Sequence, residues 1–480
     1  MNYRVVFYIL GWILRLQAAL LLLPAVVGLI YQEMSGLSYL ITAVIALILS
    51  FLMAAKKPEN RQIYAREGYA IVGLAWLVMS LVGAIPFVMS GDIPNYIDAL
   101  FETASGFTTT GSSILTEVEH LTHAGLFWRS FTHWVGGMGV MVFMLALVPM
   151  LGGTTLNLMK AESPGPVVGK LVPRIRESAA ILYKIYLFIT IVEALLLRIF
   201  GMDWFQALTT TFGTVGTGGF AVTNDSLASF SPSIQIIITI FMLLCGVNFT
   251  FYFLLLQRKL KAALKLEEVR VYFLIVIAAS ALIAWNTHHL YATTGETVRH
   301  SALQVASIIT TTGFASTDFD MWPMLSKTIL VTLMFIGACA GSTGGGIKVS
   351  RIMLMVKGIR KEVGMITHPR AVRKIRIDGA PVAVETVRST NVFIAIYCVI
   401  FFASMLIISI DEFDFTTNFT AVAATINNIG PGLNMIGPTG NFAAFSPLSK
   451  IVLIFDMLAG RLEIFPILLM LSLKNWKRYN

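Results

Sequence analysis

Four short segments of the chain share one pattern, in which a glycine follows residues that are mostly threonine, glycine or asparagine. They read TTTGS at residues 108–112, VGTGG at 215–219, TTTGF at 310–314 and NIGPG at 428–432. Aligning Gly111, Gly218, Gly313 and Gly430 gives spacings of 107, 95 and 117 residues. A period of about one hundred residues indicates an internal repeat. Each copy has the same order, an apolar run, a short helical stretch, the glycine turn and a second apolar run, so four copies of one unit are predicted.

The apolar runs have membrane-spanning length, about 20 residues each. Ten such runs lie at residues 5–30, 37–55, 69–90, 126–151, 180–200, 232–256, 271–286, 326–356, 391–410 and 448–473. Of the 480 residues, 56% are hydrophobic and 13% are charged. An ordinary soluble domain has roughly 25% charged residues. Too few charges remain to cover soluble domains, which excludes a soluble enzyme and predicts an all-α polytopic membrane protein.

Lysine and arginine are confined to alternate connecting segments. They are frequent at residues 56–66, 160–176, 258–270 and 357–388, whereas 31–36, 91–125, 201–231 and 411–447 contain none. Segment 287–325 has only Arg299. Because cytoplasmic loops carry the excess of lysine and arginine, both termini are predicted to be cytoplasmic. All four repeats then have the same orientation.

Parallel repeats can surround an axis along the membrane normal. Non-helical backbone at membrane depth is tolerated only where it is buried in protein or lines water. In a pseudo-fourfold arrangement the four glycine turns would meet on the axis and present main-chain carbonyls, which can replace the hydration shell of an alkali cation. The outer segments are acidic, which would concentrate cations at the entrance. We therefore predict a cation path through the four turns.

A glycine-rich segment, GACAGSTGGG at residues 337–346, interrupts the second apolar run of the third repeat. Five of its ten residues are glycine, and a helix does not continue easily through so many glycines. The segment is predicted to be an unwound intramembrane loop. It is not a phosphate loop, because Ile347 separates Gly346 from Lys348.

Arg461 lies near the middle of the last apolar run. A charge at that depth must face a partner or a polar cavity, and intramembrane charges are usually functional. Asp456 and Glu463 are candidate partners in a buried ion pair. The alternative that we favour places Arg461 below the ring of turns, where it forms a constriction with the loop at 337–346.

These turns resemble those of a known family, as do FTHWVGGMG at 131–139, ESPG at 162–165, GACAGSTGGGIK at 337–348 and GRLE at 460–463. The family is that of the TrkH and TrkG subunits, in the superfamily of K+ transporters with KtrB and HKT. The resemblance implies two N-terminal transmembrane helices at residues 1–66 and four repeats of M1, pore helix and M2 in pseudo-fourfold arrangement, at 67–160, 161–265, 266–365 and 366–480. It implies K+ ligands at the backbone of Thr110, Gly111, Thr217, Gly218, Thr312, Gly313, Ile429 and Gly430. Ile429 departs from the threonine of the other turns, a variation that the TrkH branch shares.

The resemblance also implies potassium uptake across a bacterial inner membrane, with K+ as bound and transported ion and no further cofactor. The gate would consist of Gly337, Gly341, Ser342, Thr343, Gly344, Gly345, Gly346 and Arg461. Family precedent further implies a homodimer and a cytoplasmic nucleotide-binding regulatory subunit of the TrkA type. The basic stretch at 357–376 can contact anionic membrane lipid or dock that regulator. The dispersed basic residues do not indicate nucleic-acid binding.

Three other classes of function remain to be weighed against a pore. A Na+- or H+-coupled K+ symporter would need membrane-buried acidic residues at the site, and the four turns contain none. A membrane-embedded hydrolase would need a nucleophile or metal constellation, and no such motif is evident. A non-transporting assembly subunit would not need four similar turns. The sequence therefore predicts an ion-conducting protein rather than an enzyme.

Overall fold

The computed structural model describes residues 1–58, 63–139, 175–368, 370 and 373–471, and the fold is almost entirely helical. An N-terminal hairpin consists of α1 (Tyr3–Ile30) and α2 (Ser35–Ala54). Repeat one contains α3 (Ala65–Ser90), α4 (Tyr96–Phe107) and α5 (His123–Gly137). Repeat two contains α6 (Ile175–Ile199), α7 (Trp204–Val215), α8 (Pro232–Cys245), α9 (Phe249–Leu256) and α10 (Leu260–Ala263).

Repeats three and four follow the same order. Repeat three contains α11 (Glu267–Thr287), α12 (Thr294–Ile309), α13 (Met324–Ile336) and α14 (Val349–Thr367). A two-residue antiparallel hairpin, β1 (Arg376–Ile377) with β2 (Ala380–Pro381), precedes repeat four. Repeat four contains α15 (Val384–Ile408), α16 (Phe415–Ile426), α17 (Pro447–Arg461) and α18 (Phe465–Leu471). Short 3-10 turns occupy His288–Leu290, Phe319–Met321, Ser409–Asp411 and Asn434–Ile436.

The long apolar helices agree with a polytopic membrane protein. Among the residues described, six helices have the length and composition to cross a membrane. They are the two helices of the N-terminal hairpin and the first helix of each repeat, α3, α6, α11 and α15. The pair α8 and α9 would make a seventh span, but it is bent by 91°.

In every repeat the helix that follows the glycine turn is too short to be the full second apolar run, which differs from the sequence-based prediction. Only the third repeat was predicted to have an interrupted second run. Instead α5, α8, α13 and α17 end at Gly137, Cys245, Ile336 and Arg461. In repeats one and four the last turn of this helix packs against the end of the pore helix: a Cβ atom on Gly136 would lie 1.9 Å from the Phe107 carbonyl oxygen, and one on Gly460 would lie 2.0 Å from that of Ile426. The continuation of α5 and the predicted boundary between residues 160 and 161 lie outside the described residues.

Each of the four short helices, α4, α7, α12 and α16, begins with a side-chain cap. The side chains of Asn95, Asp203, Thr293 and Asp414 accept a hydrogen bond from a backbone N–H of the first turn. Such caps satisfy the free amides of a helix start.

Burial raises the pKa of the Asp414 carboxyl, but hydrogen bonds from Thr417 and Asn434 hold it below its usual range. A carboxyl with a depressed pKa stabilises the fold above its ordinary pKa and stops doing so as the pH falls through the depressed value, so this cap is ionised at neutral pH.

Candidate functional site

The four glycine turns have the same backbone conformation. The second residue after each short helix has a positive φ, 55° at Thr109, 54° at Thr217, 58° at Thr311 and 55° at Asn428. The N–H of the third residue donates back to a carbonyl in the helix at 2.8 Å in every repeat, and the pairs are Thr110 to Ser105, Gly218 to Gly213, Thr312 to Ser307 and Ile429 to Ala424. The fourth residue is a glycine with φ between 75° and 102°, and these are Gly111, Gly219, Gly313 and Gly430. The local geometry therefore repeats four times.

This geometry corrects the alignment of the second repeat by one residue. Gly219, not Gly218, corresponds to Gly111, because Gly219 has the positive φ and follows its helix by the same number of residues. The pair that corresponds to Thr110 and Gly111 is thus Gly218 and Gly219, while Thr217 corresponds to Thr109. The spacings between equivalent glycines become 108, 94 and 117 residues.

The turns meet in a closed ring, each glycine facing the carbonyl oxygen of the next turn. A Cβ atom on Gly111 would lie 2.1 Å from Gly218 O. In the same way, a Cβ on Gly219 would lie 1.9 Å from Thr312 O, one on Gly313 would lie 2.2 Å from Ile429 O, and one on Gly430 would lie 2.9 Å from Thr110 O. The order is one, two, three, four and back to one, which is the pseudo-fourfold arrangement predicted. Only glycine leaves room for this approach.

The side chains of the turns point away from the ring and support it. In repeats one and three, two threonine hydroxyls lie 2.8 Å apart behind the turn, Thr108 with Thr110 and Thr310 with Thr312. Between repeats four and one, the Asn428 amide donates to the Thr110 hydroxyl at 2.9 Å. All of these residues are fully buried.

His133 explains why the second turn has glycine at two positions where repeats one and three have threonine, a role that was not predicted from the sequence. A Cβ on Gly218 would lie 2.2 Å from His133 Cγ, and one on Gly216 would lie 2.4 Å from the His133 carbonyl oxygen. The Nδ1–H of His133 donates to the Gly106 carbonyl at 2.8 Å. The backbone and imidazole ring of His133 therefore fill the space that two threonine side chains occupy in repeats one and three. The signal was the glycine excess in VGTGG together with a lone histidine in FTHWVGGMG.

The loop at 337–346 lies directly beneath the turns of repeats three and four. The Gly345 N–H donates to the Thr311 hydroxyl at 2.6 Å. A Cβ on Gly344 would lie 2.8 Å from Thr310 O, and one on Gly345 would lie 2.6 Å from Asn427 O. The loop is non-helical, as predicted.

The loop also fills the gap that the bend between α8 and α9 leaves open. The Cys339 N–H donates to Gly246 O at 3.1 Å, and the Thr343 hydroxyl donates to Cys245 O at 3.2 Å. The Phe249 N–H, at the start of α9, donates to Gly341 O at 3.0 Å. The loop therefore rests on the second repeat as well as on the third.

Three further groups hold the loop in shape. Glu268 of α11 accepts from the N–H groups of Ala340 at 2.7 Å and Ser350 at 3.0 Å, so it joins the middle of the loop to the start of α14. The Ser342 hydroxyl donates to Cys339 O at 2.7 Å. The Lys348 ammonium donates to Gly344 O. The loop bends at Gly337, Gly341 and Gly346, which have positive φ values. These are three of the five glycines in the loop.

Arg461 connects the loop, the first turn and the end of α5. Its Nη1 donates to Thr343 O at 2.9 Å and to the Thr109 hydroxyl at 3.3 Å. Its Nη2 donates to the carbonyls of Gly136 and Gly137, the latter at 3.0 Å. The guanidinium thus lies next to the first turn, on the side of the ring where the loop lies.

The candidate acidic partners of Arg461 bond elsewhere. Glu463 forms a buried ion pair with Arg351 of α14, and Asp456 accepts from the Ser404 hydroxyl at 2.7 Å. The described hydrogen bonds of Arg461 go instead to carbonyl and hydroxyl oxygens, because α17 ends at this residue and its side chain extends toward the end of α5 and the loop.

The comparisons with known proteins agree with this architecture. A family model described as "TrkH: Cation transport protein" matches residues 37–478. The Trk system potassium uptake protein TrkH of Escherichia coli K12 is 37% identical, covering 99% of this chain and 100% of its own length. The TrkG protein of the same organism is 31% identical, covering 99% of each. The crystal structure of the potassium transporter TrkH from Vibrio parahaemolyticus superposes with a TM-score of 0.89 at 34% identity, covering 99% of this chain and 100% of the other. With the family model matching most of its length, the chain belongs to the TrkH family of cation transport proteins.

Proposed function

We propose that this protein takes up potassium across the bacterial inner membrane, through a selectivity filter that the four turns form. The relatives that it matches over their full length are named as potassium uptake proteins. The observation that carries the proposal is the closed ring, in which each glycine faces the carbonyl of the next turn. A ring of carbonyls can replace the hydration shell of K+ without any acidic side chain.

The short helices add electrostatic support to this proposal. Each of them ends at its turn, so four helix C-termini point toward the ring. The C-terminal end of a helix carries a partial negative charge, which favours a cation. In the corrected register the proposed ligands are Thr110 and Gly111, Gly218 and Gly219, Thr312 and Gly313, and Ile429 and Gly430.

We propose that Arg461 and the loop at 337–346 form the gate. The guanidinium places a positive charge on the inner side of the ring, where it opposes a cation that leaves the filter. The loop lies beneath two of the turns and contacts the same guanidinium through Thr343 O. Opening then requires the loop to leave Thr311 and Arg461 to leave the loop.

The distribution of lysine and arginine is the basis for proposing which segments face the cytoplasm. The distribution of the lysine-rich and arginine-rich segments supports a cytoplasmic position for both termini. The segment 357–388, which includes β1 and β2, then faces the cytoplasm, where a nucleotide-binding regulator of the TrkA type can dock. A homodimer is proposed on the same family precedent.

The proposed function is tested by growth and by tracer uptake. We expect this gene to restore growth of a potassium-uptake-deficient bacterium at low external K+, while the empty vector does not. The purified protein in proteoliposomes that contain KCl should accumulate radioactive rubidium, and external K+ should inhibit that uptake far more than Na+ does. Protein that reaches the membrane, yet gives neither growth nor rubidium uptake, would contradict the proposal.

A further inference from the structure

A buried ion pair lies behind the first two turns. Arg129 of α5 and Glu102 of α4 approach to 2.6 Å, from Nε to Oε1, and their side chains are 4% and 0% exposed. Burying two opposite charges removes both from water, and a hydrophobic pair of similar volume is often at least as stable. The stability of the fold is therefore a poor explanation for this pair, and its other contacts indicate what it does.

The carboxylate holds the chain that leaves the first turn. Glu102 Oε2 accepts from the Ile114 N–H at 3.0 Å. The Ser113 hydroxyl lies 2.9 Å from Oε1 and 3.2 Å from Oε2. Ser113 and Ile114 follow Gly111 by two and three residues. Movement of Glu102 would therefore move the first turn.

The guanidinium holds the chain that leaves the second turn. Arg129 Nη1 donates to the Ala221 carbonyl at 2.7 Å, and Cζ lies 3.6 Å from the centre of the Phe220 ring. Phe220 and Ala221 directly follow Gly219. The Phe220 ring also packs on His133, with ring centres 4.2 Å apart, and His133 fills the space beside Gly218.

The ion pair thus spans the junction at which Gly111 faces Gly218 O. The other pore helices have no carboxylate at the position of Glu102, five residues before the helix end: that position is Thr210 in α7, Gln304 in α12 and Ala421 in α16. Within the described residues, the junction between turns one and two is therefore the one that an ion pair from this pore-helix position spans. We call this Glu102–Arg129 pair the clamp.

We propose that the Glu102–Arg129 pair is a positioning device that fixes the spacing of the first two carbonyls and thereby sets the discrimination between K+ and Na+. This inference rests on the proposed potassium filter. A carbonyl ring favours K+ over the smaller Na+ through its size and the field of its dipoles. A junction freed from the clamp allows the carbonyls of Thr110 and Gly218 to close around the smaller ion.

Two variants of the pair and one matched control test the proposal. Arg129→Lys keeps the charge opposite Glu102 but loses the planar fork that reaches Ala221 O. The double variant Glu102→Gln with Arg129→Gln removes both charges, so neither is left buried without its partner. The control is Arg198→Gln in repeat two. Arg198 also donates to a carbonyl, that of Met202, and lies over an aromatic ring, that of Trp204, but in the part of the chain that the structure describes neither partner is next to a turn.

The measurement is rubidium uptake into KCl-loaded proteoliposomes, inhibited in parallel by external K+ and by external Na+. We expect both variants of the pair to lower the ratio of the two inhibitory concentrations by about tenfold, the effect of a 1.4 kcal/mol change. The thermal unfolding temperature of Arg129→Lys and the selectivity of Arg198→Gln should remain those of the original protein.

The outcomes separate the two proposals. If the unmodified protein does not prefer K+, the proposed function fails. If the unmodified protein prefers K+ and the folded Arg129→Lys variant and the double variant discriminate equally well, the positioning role is overturned. Failure of both to reach the membrane would show that the pair serves folding alone, and an equal loss of selectivity in Arg198→Gln would show that the effect is not specific to the clamp; either result also overturns the positioning role.

Discussion

Replacing Gly111 with alanine is expected to abolish most potassium uptake while the protein still reaches the membrane. The added Cβ would lie 2.1 Å from Gly218 O and would displace that carbonyl from the ring. A hydrogen bond or ligand contact to a charged group contributes about 1.5–3 kcal/mol. The loss of one such contact corresponds to a decrease in uptake of roughly 10-fold to 150-fold. Rubidium uptake into proteoliposomes, per folded protein, measures the effect.

Gly91 provides a matched control for this substitution. Its φ of 82° equals that of Gly111, but no atom lies within 4 Å of the position that a Cβ would occupy. Gly91→Ala therefore introduces the same backbone strain without crowding a carbonyl. We expect normal uptake from Gly91→Ala, and equal losses in the two variants would mean that strain rather than ring geometry is responsible.

Replacing Arg461 with alanine is expected to raise ion flux about tenfold or more. A cation that passes within about 4 Å of a guanidinium meets a repulsion of roughly 4 kcal/mol at an effective dielectric constant of about 20. The alanine also removes the hydrogen bonds to Thr343 O and to the Thr109 hydroxyl, so the loop at 337–346 loses a tether to the first turn. Flux without any regulator, measured as the initial rate of rubidium uptake, reports the change.

Arg461→Lys separates the charge from the tether. Lysine keeps the positive charge but cannot reproduce the fork of contacts to Thr343, Gly136 and Gly137. If repulsion dominates, Arg461→Lys conducts like the original protein, and if the tether dominates, it conducts like Arg461→Ala. Unchanged flux in a folded Arg461→Ala variant would remove Arg461 from the gate.

The features that the sequence predicted well are those with local signals. The four short helices have capping residues at their starts, such as Asp203 and Asp414, and positive-φ residues with glycine at their ends. Caps and glycine turns are determined within a few residues, so a sequence pattern can locate them. The loop at 337–346 was predicted for the same reason, because its glycines lie close together.

The register of the second turn could not be predicted from the pattern alone. Gly218 and Gly219 are adjacent, and either could be matched to Gly111. What distinguishes them is the His133 ring from α5, which lies beside Gly218 and leaves Gly219 to face the third turn. His133 is distant in sequence, so the decision depends on tertiary contacts.

The breaks in the second helices were missed for a similar reason. A lone glycine such as Gly460 is tolerated in a helix and gives no clear signal, and the glycines of WVGGMG in repeat one were not recognised as a helix end. Gly136 and Gly460 lie in the last turns of α5 and α17, each against the last carbonyl of a pore helix, and these contacts join segments that are distant in sequence. The sequence predicted Arg461 beside the loop and below the ring, but not its contacts to Gly136 and Gly137, since those carbonyls are free only because α5 ends there.

The most direct test of the ring is anomalous diffraction from crystals of this protein grown in rubidium chloride. The account predicts an anomalous peak on the axis, bounded by the carbonyl oxygens of Thr110, Gly218, Thr312 and Ile429. Rubidium bound only elsewhere, with those four carbonyls turned away from a common centre, would contradict it.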